Sequence, residues 1–364
     1  MILKKYRFLI LFLSVSIFSM AQNVKEKSSF YHYSGRVELQ DNNKVILISA
    51  ASSVSFDFVG KTCKIFLQNV TDQHSFIALE LDGNYIGRVR IEKGIAQTFP
   101  VKVTTNKKTH HLAIYKATEA STGGVMFIGT TAKLIKSTTP NRNKIEYIGD
   151  SITSGFGNDT AEIPCGTGGW FDQHNGYWAY GAIVARSLNV DYVLSSVSGY
   201  GMYRNWNDDH KEEPNIPDVY ENLNLDTNTS KPYDFAFQPD LVSICLGTND
   251  LSDGDGKKER LPFSEDKYVS NYIAFIKTVY QHTPNTRIVL LNSPMVSGDR
   301  NVVLVRCLKK VIQAFENDAE HKTIALFEFQ SMQPNGCGSH PDIADDKIMA
   351  SQLTPFLKKI LDEK

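Results

Sequence analysis

The sequence predicts a β-sandwich followed by a three-layer α/β domain with a parallel sheet. Three observations carry this expectation. The chain has 364 residues, more than one hydrophobic core usually serves. Residues 30 to 136 run as short segments rich in Val, Ile, Phe and Tyr with turn residues between them, the rhythm of an all-β unit. From Lys144 onward apolar runs alternate with helical periodicity, the pattern of a parallel sheet covered on both faces. Hydrophobic residues make up 41% and charged residues 22%, ordinary globular values that argue against disorder.

Residues 1–21 read as a secretory signal. Lys4, Lys5 and Arg7 precede the apolar run Phe8 to Phe18, and Ser19-Met20-Ala21 forms a small-x-small cleavage site. The run is shorter than the ~20 residues a spanning helix needs. The mature chain then begins near Gln22, is exported to the exterior or periplasm, and keeps no stable membrane span.

The β-sandwich is expected over residues 22–137. Its strand-like runs are "KVILIS", "SVSFDFVG", "KIFLQNV", "SFIALELDGNYIGRVRI", "FPVKV", "HHLAIYKA" and "GVMFIGTTAKLI". Asp82-Gly83-Asn84 supplies a hairpin turn, because glycine takes φ > 0 at low cost. A jelly roll is the form such a unit most readily takes. "STTPNRN", residues 137 to 143, connects it to the α/β domain, so the second domain is expected over 138–364.

In that domain the strand candidates are "KIEYIGD", "DYVLSSVS", "DLVSICLGT", "RIVLLNSP" and "TIALFEF". Helical spacing relates Tyr268, Tyr272, Phe275, Ile276 and Val279, then Val305, Leu308, Ile312 and Phe315, then Met349, Leu353, Phe356, Leu357 and Ile360. Ligands of such sheets bind beyond the carboxyl ends of the strands, and four chemically interesting loops lie there. The first strand ends in Gly149-Asp150-Ser151. The second leads into "SGYG" with Gly199 and Gly201. The third ends in "LGTND" with Asn249, and "NGCGSHPDIADD" places His340 before the last helix. Taken alone, Ser151 reads better as a turn or N-cap serine, while Gly199 reads equally as a turn glycine and Asn249 equally as a helix cap. Together they are the parts acyl transfer needs: a nucleophile, a base to take its proton, and donors for a developing oxyanion.

Formal net charge is −1 with no long Lys/Arg stripe, so no footprint for nucleic acid exists. No H-E-x-x-H motif or Cys/His spacing suggests a metal, and no cofactor is expected. The five cysteines are an odd set. Cys245 in an apolar strand and Cys307 on a helix face read as small buried hydrophobes. Cys165 and Cys337 lie in loops and are the pair best placed for a bridge in an exported chain.

The order G-D-S, S-G-Y-G, G-T-N-D and a late S-H-P resembles the SGNH (GDSL-type) hydrolase superfamily over about residues 144 to 364. By that resemblance Ser151 is the nucleophile and His340 the general base. The Ser151 and Gly199 N–H groups and the Asn249 side chain then form the oxyanion hole, with Asp150 holding the turn. The preceding β-sandwich, "NGYWAYGAIVAR" and "GCGSHP" narrow the resemblance to carbohydrate esterase family 2. It implies a secreted serine esterase that removes O-acetyl groups from plant cell-wall polysaccharides such as xylan and mannan. A general acyl esterase of the GDSL lipase type is the alternative, weakened by the lack of a long apolar lid segment. A carbohydrate-binding protein with an inert hydrolase half is another, opposed by the intact Ser151, Gly199, Asn249 and His340.

Most members of the superfamily carry an Asp three residues before the histidine, where this chain has Cys337. A backbone carbonyl in that role would fix the imidazole tautomer without a carboxylate. Asp342 and Asp345 follow the histidine into a helix and suit its N-terminal end. The acyl pocket for acetyl is expected to be shallow. Sugar CH faces suit aromatic platforms, for which Trp206, Tyr200 and Tyr203 after Gly199 and Trp170 after Ser151 are candidates. Trp178, read as lying on a helix, suits core packing better.

Overall fold

The computed structural model describes residues 29–138, 141–208 and 213–363. The signal-like segment 1–21 and the expected start at Gln22 lie outside the described residues, as do Thr139 and Pro140 of the connector.

In the N-terminal part, apolar and polar residues alternate along the strands, because successive side chains of a strand point to opposite faces. The strands are β1 (His32–Ser34), β2 (Val37–Leu39), β3 (Val45–Leu47), β4 (Ser53–Val59), β5 (Thr62–Asn69) and β6 (Ser75–Leu81). They continue with β7 (Asn84–Ile91), β8 (Gln97–Lys102), β9 (Thr109–Lys116), β10 (Val125–Thr130) and β11 (Lys133–Ile135). In β5, for example, Cys63, Ile65 and Leu67 are buried while Thr62 and Lys64 are exposed. One antiparallel sheet has the order β1-β4-β9-β6-β7 with β11 also on β4, and the other β2-β3-β10-β5-β8. Phe56, Phe58, Ile65, Leu67, Ile77, Leu112, Ile114 and Phe127 fill the core they share. The β6–β7 hairpin turns on Asp82 and Gly83, both at positive φ (55° and 83°), the pair of conformations that a two-residue turn matched to strand twist requires.

"GVMFIGTTAKLI", expected as one run, is two strands in different sheets. The register of β10 shifts between Phe127 and Gly129, where Gly129 adopts φ 151°. The chain then leaves β3 and β5 to pair with β4, as a bulge that bends a strand allows.

The C-terminal part consists of β12 (Lys144–Gly149), α1 (Ser151–Ser154), α2 (Tyr180–Leu188), β13 (Asp191–Ser196), α3 (Ile216–Val219) and β14 (Leu241–Cys245). After it come α4 (Thr248–Leu251), α5 (Glu265–His282), β15 (Arg287–Leu291), α6 (Gly298–Gln313), β16 (Ala325–Phe327) and α7 (Ile343–Asp362). The sheet order is β13-β12-β14-β15-β16, and every pairing is parallel. Both faces are covered. Val242, Ile244, Ile288 and Leu290 pack on α5 and α6 through Tyr272, Phe275, Leu304 and Leu308. Leu241, Val289 and Leu291, on the alternate positions, pack with Val184, Met349, Leu353 and Leu357 of α2 and α7. Trp178 lies in a single 3-10 turn, Gly176–Trp178, and extended Ala179 (ψ 144°) separates it from α2. No helix among the described residues is long and apolar enough to cross a membrane.

The two parts meet around a buried ion pair. Arg36 is fully buried. Its Nε donates to Ser195 Oγ at 3.1 Å, and its Nη1 donates to Asn222 O at 2.8 Å. Its Nη2 lies 3.8 Å from Glu146 Oε1. The guanidinium sits 4.0 Å from the centroid of the Tyr233 ring, and Tyr220 Oη donates to Glu146 Oε2 at 2.9 Å. Removing one partner of such a pair strands the other charge at a cost of about 3–5 kcal/mol. Elsewhere Gly176 N donates to Ala117 O at 2.8 Å and Tyr177 Oη to Glu80 Oε2 at 2.8 Å.

Candidate active site

β12 lies between β13 and β14, so the loops leaving these three strands converge on one edge of the sheet. Ser151 is the first residue of α1, and its side chain is nearly buried. Asp150 caps that helix, its Oδ1 accepting from Ile152 N at 3.0 Å. The Ser151 N–H belongs to the first turn, where no intrahelical acceptor exists. Burial pushes the Asp150 carboxyl up to about 7, with neighbouring Asp250 adding to the effect and the Ile152 N–H and Thr248 hydroxyl opposing it.

His340 bridges two partners. Its Nδ1 lies 2.8 Å from Gly338 O and its Nε2 2.7 Å from Ser151 Oγ. A carbonyl only accepts, so Nδ1 carries the hydrogen, and the neutral ring has Nε2 free to accept from the Ser151 hydroxyl. Burial holds the imidazole below its usual pKa, while the Gly338 and Cys337 backbone contacts work the other way. Gly338 takes φ 62° and Ser339 φ 58°, a tight reversal that turns the Gly338 carbonyl back on the ring two residues later. Cys337, in the place of the acid, is joined to Cys165 across 172 residues, and its N–H donates to Gly157 O at 2.9 Å. Asp342 caps α7, its Oδ1 accepting from Asp345 N at 2.8 Å. No hydrogen bond joins a carboxylate to His340 among the described residues.

The loop after β13 leaves the strand next to β12, and Val197 N donates to Gly149 O at 3.3 Å. Gly199 has φ 81° and open space where a Cβ would stand. The Asn249 amide donates to Tyr200 O at 2.8 Å and makes a longer 3.3 Å contact to Asp150 Oδ2, which fixes its plane and leaves its second N–H only weakly engaged. Asp250 is fully buried and accepts from the N–H groups of Met202, Tyr203 and Arg204 at 2.9–3.2 Å. A hydroxyl facing a neutral imidazole can act as a nucleophile in acyl transfer, a reaction that also calls for donors to the developing oxyanion. Among the described residues no group of three His, Cys, Asp or Glu is arranged to hold a metal.

The profile of the GDSL-like Lipase/Acylhydrolase family matches residues 147–348. The chain belongs to this family. That of the Carbohydrate esterase 2 N-terminal domain matches residues 33–140. An acetylxylan esterase / glucomannan deacetylase of Cellvibrio japonicus is 27% identical over 337 residues, covering 90% of this chain and 90% of that protein. The cellulase/esterase CelE of Acetivibrio thermocellus is 30% identical over 343 residues, covering 90% of this chain but 39% of that larger protein. A family two carbohydrate esterase from Clostridium thermocellum, solved in complex with cellohexaose, superposes with a TM-score of 0.79 at 27% identity, covering 91% of this chain and 99% of that one.

Around the site of this GDSL-family chain two exposed indoles stand out. Trp170 is 53% exposed and Trp206 49% exposed. Trp170 stacks on Phe156 at 6.0 Å, and Phe156 lies 4.4 Å from the His340 ring. Trp206 N donates to Gly199 O at 2.7 Å. The Tyr200 ring packs against the apolar core, so its carbonyl rather than its ring faces Asn249. Tyr203 Oη accepts from Ser264 N at 2.9 Å. The sequence reading missed four residues near the site: Phe156, buried His174 beneath it at 4.4 Å, Asp250, and Glu119 of the N-terminal part, whose carboxylate accepts from Ser198 N at 3.1 Å. Asp250 closes the G-T-N-D motif and Phe156 follows Ser151 by five residues, but neither carries a residue type that acyl transfer calls for. Glu119 has no signal in sequence, because its partner lies in another domain.

Proposed function

We propose that this chain is a secreted carbohydrate esterase that removes O-acetyl groups from plant cell-wall polysaccharides of the xylan and mannan type. The observation that carries the reading is the Ser151–His340–Gly338 chain of contacts at 2.7 and 2.8 Å. The acetylxylan esterase / glucomannan deacetylase relative, matched over nine-tenths of both chains, supports the substrate class.

In this reading Ser151 Oγ attacks the acetyl carbonyl while His340 Nε2 takes the hydroxyl proton. The N–H groups of Ser151 and Gly199 and the Asn249 amide receive the oxyanion. Collapse breaks the ester bond, His340 returns the proton to the departing sugar oxygen, and acetyl-Ser151 remains. Water, deprotonated by His340, then releases acetate and restores the hydroxyl. The Gly338 carbonyl dipole faces the imidazolium formed in each half, a weaker stabiliser than a carboxylate but one that keeps the correct tautomer. Trp170 and Trp206 are the rings we assign to the sugar; Tyr200 serves through its backbone.

Several features support the wider picture. The pairings β3–β10, β4–β9, β5–β8 and β6–β7 alternate between the two antiparallel sheets, as when a long hairpin rolls into a jelly roll. Domains over 22–137 and 138–364, after a signal over 1–21, fit the change of architecture near residue 140.

Acetate release from acetylated xylan, glucomannan and pectin, with Ser151→Ala as control, tests the function. We expect release from the first two at rates at least a thousandfold above the variant, the scale on which a serine nucleophile contributes. A faster rate on aryl butyrate than on aryl acetate would refute the acetyl assignment.

A further inference from the structure

We infer that Glu119, supplied by the N-terminal domain, is a positioning residue for the Gly199 N–H of the active site. The inference rests on the acyl-transfer reading above. The polar groups around Gly199 are pinned. Val197 N donates to Gly149 O at 3.3 Å, Tyr200 N to Val197 O at 3.3 Å, and Trp206 N to Gly199 O at 2.7 Å. The Asn249 amide holds Tyr200 O at 2.8 Å.

Ser198 is held from the other domain. Its N–H donates to Glu119 Oε2 at 3.1 Å, and its hydroxyl donates to the same oxygen. Only one backbone torsion of Ser198 then separates a residue fixed at both N and Oγ from the N–H of Gly199. That N–H donates to no protein acceptor among the described residues.

Glu119 is suited to the task because it is buried and held from several sides. It is 1% exposed, and its Oε1 accepts from Ser121 Oγ. Its carbonyl accepts from Lys116 Nζ at 2.6 Å and Thr122 Oγ1 at 2.8 Å. Lys116 is itself fully buried and also donates to Thr118 O and Thr118 Oγ1, each at 3.0 Å. A buried carboxylate accepting from a backbone N–H makes a charge-assisted contact, and here that contact crosses from one domain into the loop that carries Gly199. The bond would be a mere domain clasp if Ser198 lay far from the chemistry; it is the residue next to Gly199.

The test is steady-state hydrolysis of 4-nitrophenyl acetate by Glu119→Ala, Glu119→Gln and Glu119→Asp, with amide hydrogen exchange of the peptide spanning 197–201. Removing an oxyanion donor outright costs about 10²–10³ in kcat, and misplacement by about 1 Å costs up to about 10². Glu119→Ala is expected to lose about 10- to 100-fold in kcat with KM within about threefold, and to exchange the 197–201 amides faster while β12 amides are unchanged. Glu119→Gln keeps an acceptor for Ser198 N–H and is expected to recover to within about fivefold of wild type. Glu119→Asp, with its carboxylate withdrawn, is expected to fall about tenfold. It carries the test should the alanine variant not fold. Folded variants at the wild-type kcat, or a loss confined to KM, would overturn the positioning role alone. A wild type no faster than Ser151→Ala would overturn the esterase reading and this inference with it.

Discussion

Reducing the Cys165–Cys337 bond separates stability from catalysis in a way that can be calculated beforehand. The bond spans 172 residues. In the chain-entropy model, closing a loop of that length removes about 17 cal/mol/K from the unfolded state, about 5 kcal/mol at 25 °C. For a chain of this length 1 kcal/mol shifts the midpoint by about 1.5 °C, so reduction is expected to lower Tm by about 7 °C. The catalytic loop should stay seated, because three backbone bonds hold it without the sulfurs: Cys337 N to Gly157 O, Gly336 N to His340 O at 2.7 Å, and Ile343 N to Asn158 O at 3.0 Å. Turnover of 4-nitrophenyl acetate below the new midpoint is therefore expected to fall by less than about tenfold. The assay pairs calorimetry and turnover, with and without reductant, and repeats both on the Cys165→Ser, Cys337→Ser double variant. Thiol titration of the denatured, unreduced chain should count the three cysteines Cys63, Cys245 and Cys307. Five thiols would refute the bond, and a Tm shift under about 2 °C on verified reduction would refute the entropic account.

Two further outcomes follow from the surroundings of His340. Asp342→Asn should leave kcat within about tenfold of wild type, since the carboxylate caps α7 and Asn caps a helix about as well as Asp; a collapse matching that of His340→Ala would make Asp342 the missing acid. The base must be neutral to accept a proton, and burial penalises its charged form. The acid limb of kcat/KM is therefore expected to include an inflection below 6.5, the unperturbed value, for His340, apart from a step near 7 for the buried Asp150 carboxyl that contacts the Asn249 amide. A pH–rate profile without an inflection below 6.5 would contradict that environment.

What the sequence reveals here divides by physical cause. The apolar runs of β14 and β15 are legible because a sheet buried on both faces favours Val, Ile and Leu at most positions. Ser151, Asn249 and His340 stand out because chemistry demands their residue types at strand ends. Gly338 O is not legible as the partner of His340, since every residue carries the same main-chain carbonyl and only the local backbone turn selects one of them. The split of residues 124–135 into β10 and β11 turns on the conformation of Gly129, and a glycine in an apolar run looks the same whether it continues or bends a strand. Glu119 illustrates the remaining gap. A glutamate between two strands has the composition of a surface loop, and only the approach of the second domain makes it a buried acceptor. Tyr200 shows the converse, a ring in a promising place whose carbonyl, rather than its ring, holds the Asn249 amide.

The Arg36–Glu146 pair bears on how this architecture can be recombined. Many polysaccharide-degrading enzymes are assembled from interchangeable units strung on linkers, and a β-sandwich at the N-terminus invites the same view. Here a guanidinium from the sandwich is stacked on Tyr233 and lies 3.8 Å from a carboxylate in the first strand of the catalytic sheet. A cut near residue 140 would leave Glu146 without its cation and bare the rings that enclose it. The pair of domains is thus one indivisible cassette: grafts onto scaffolds, fusions and recombination between relatives have to move it whole, with crossover points at its two ends and none in the middle.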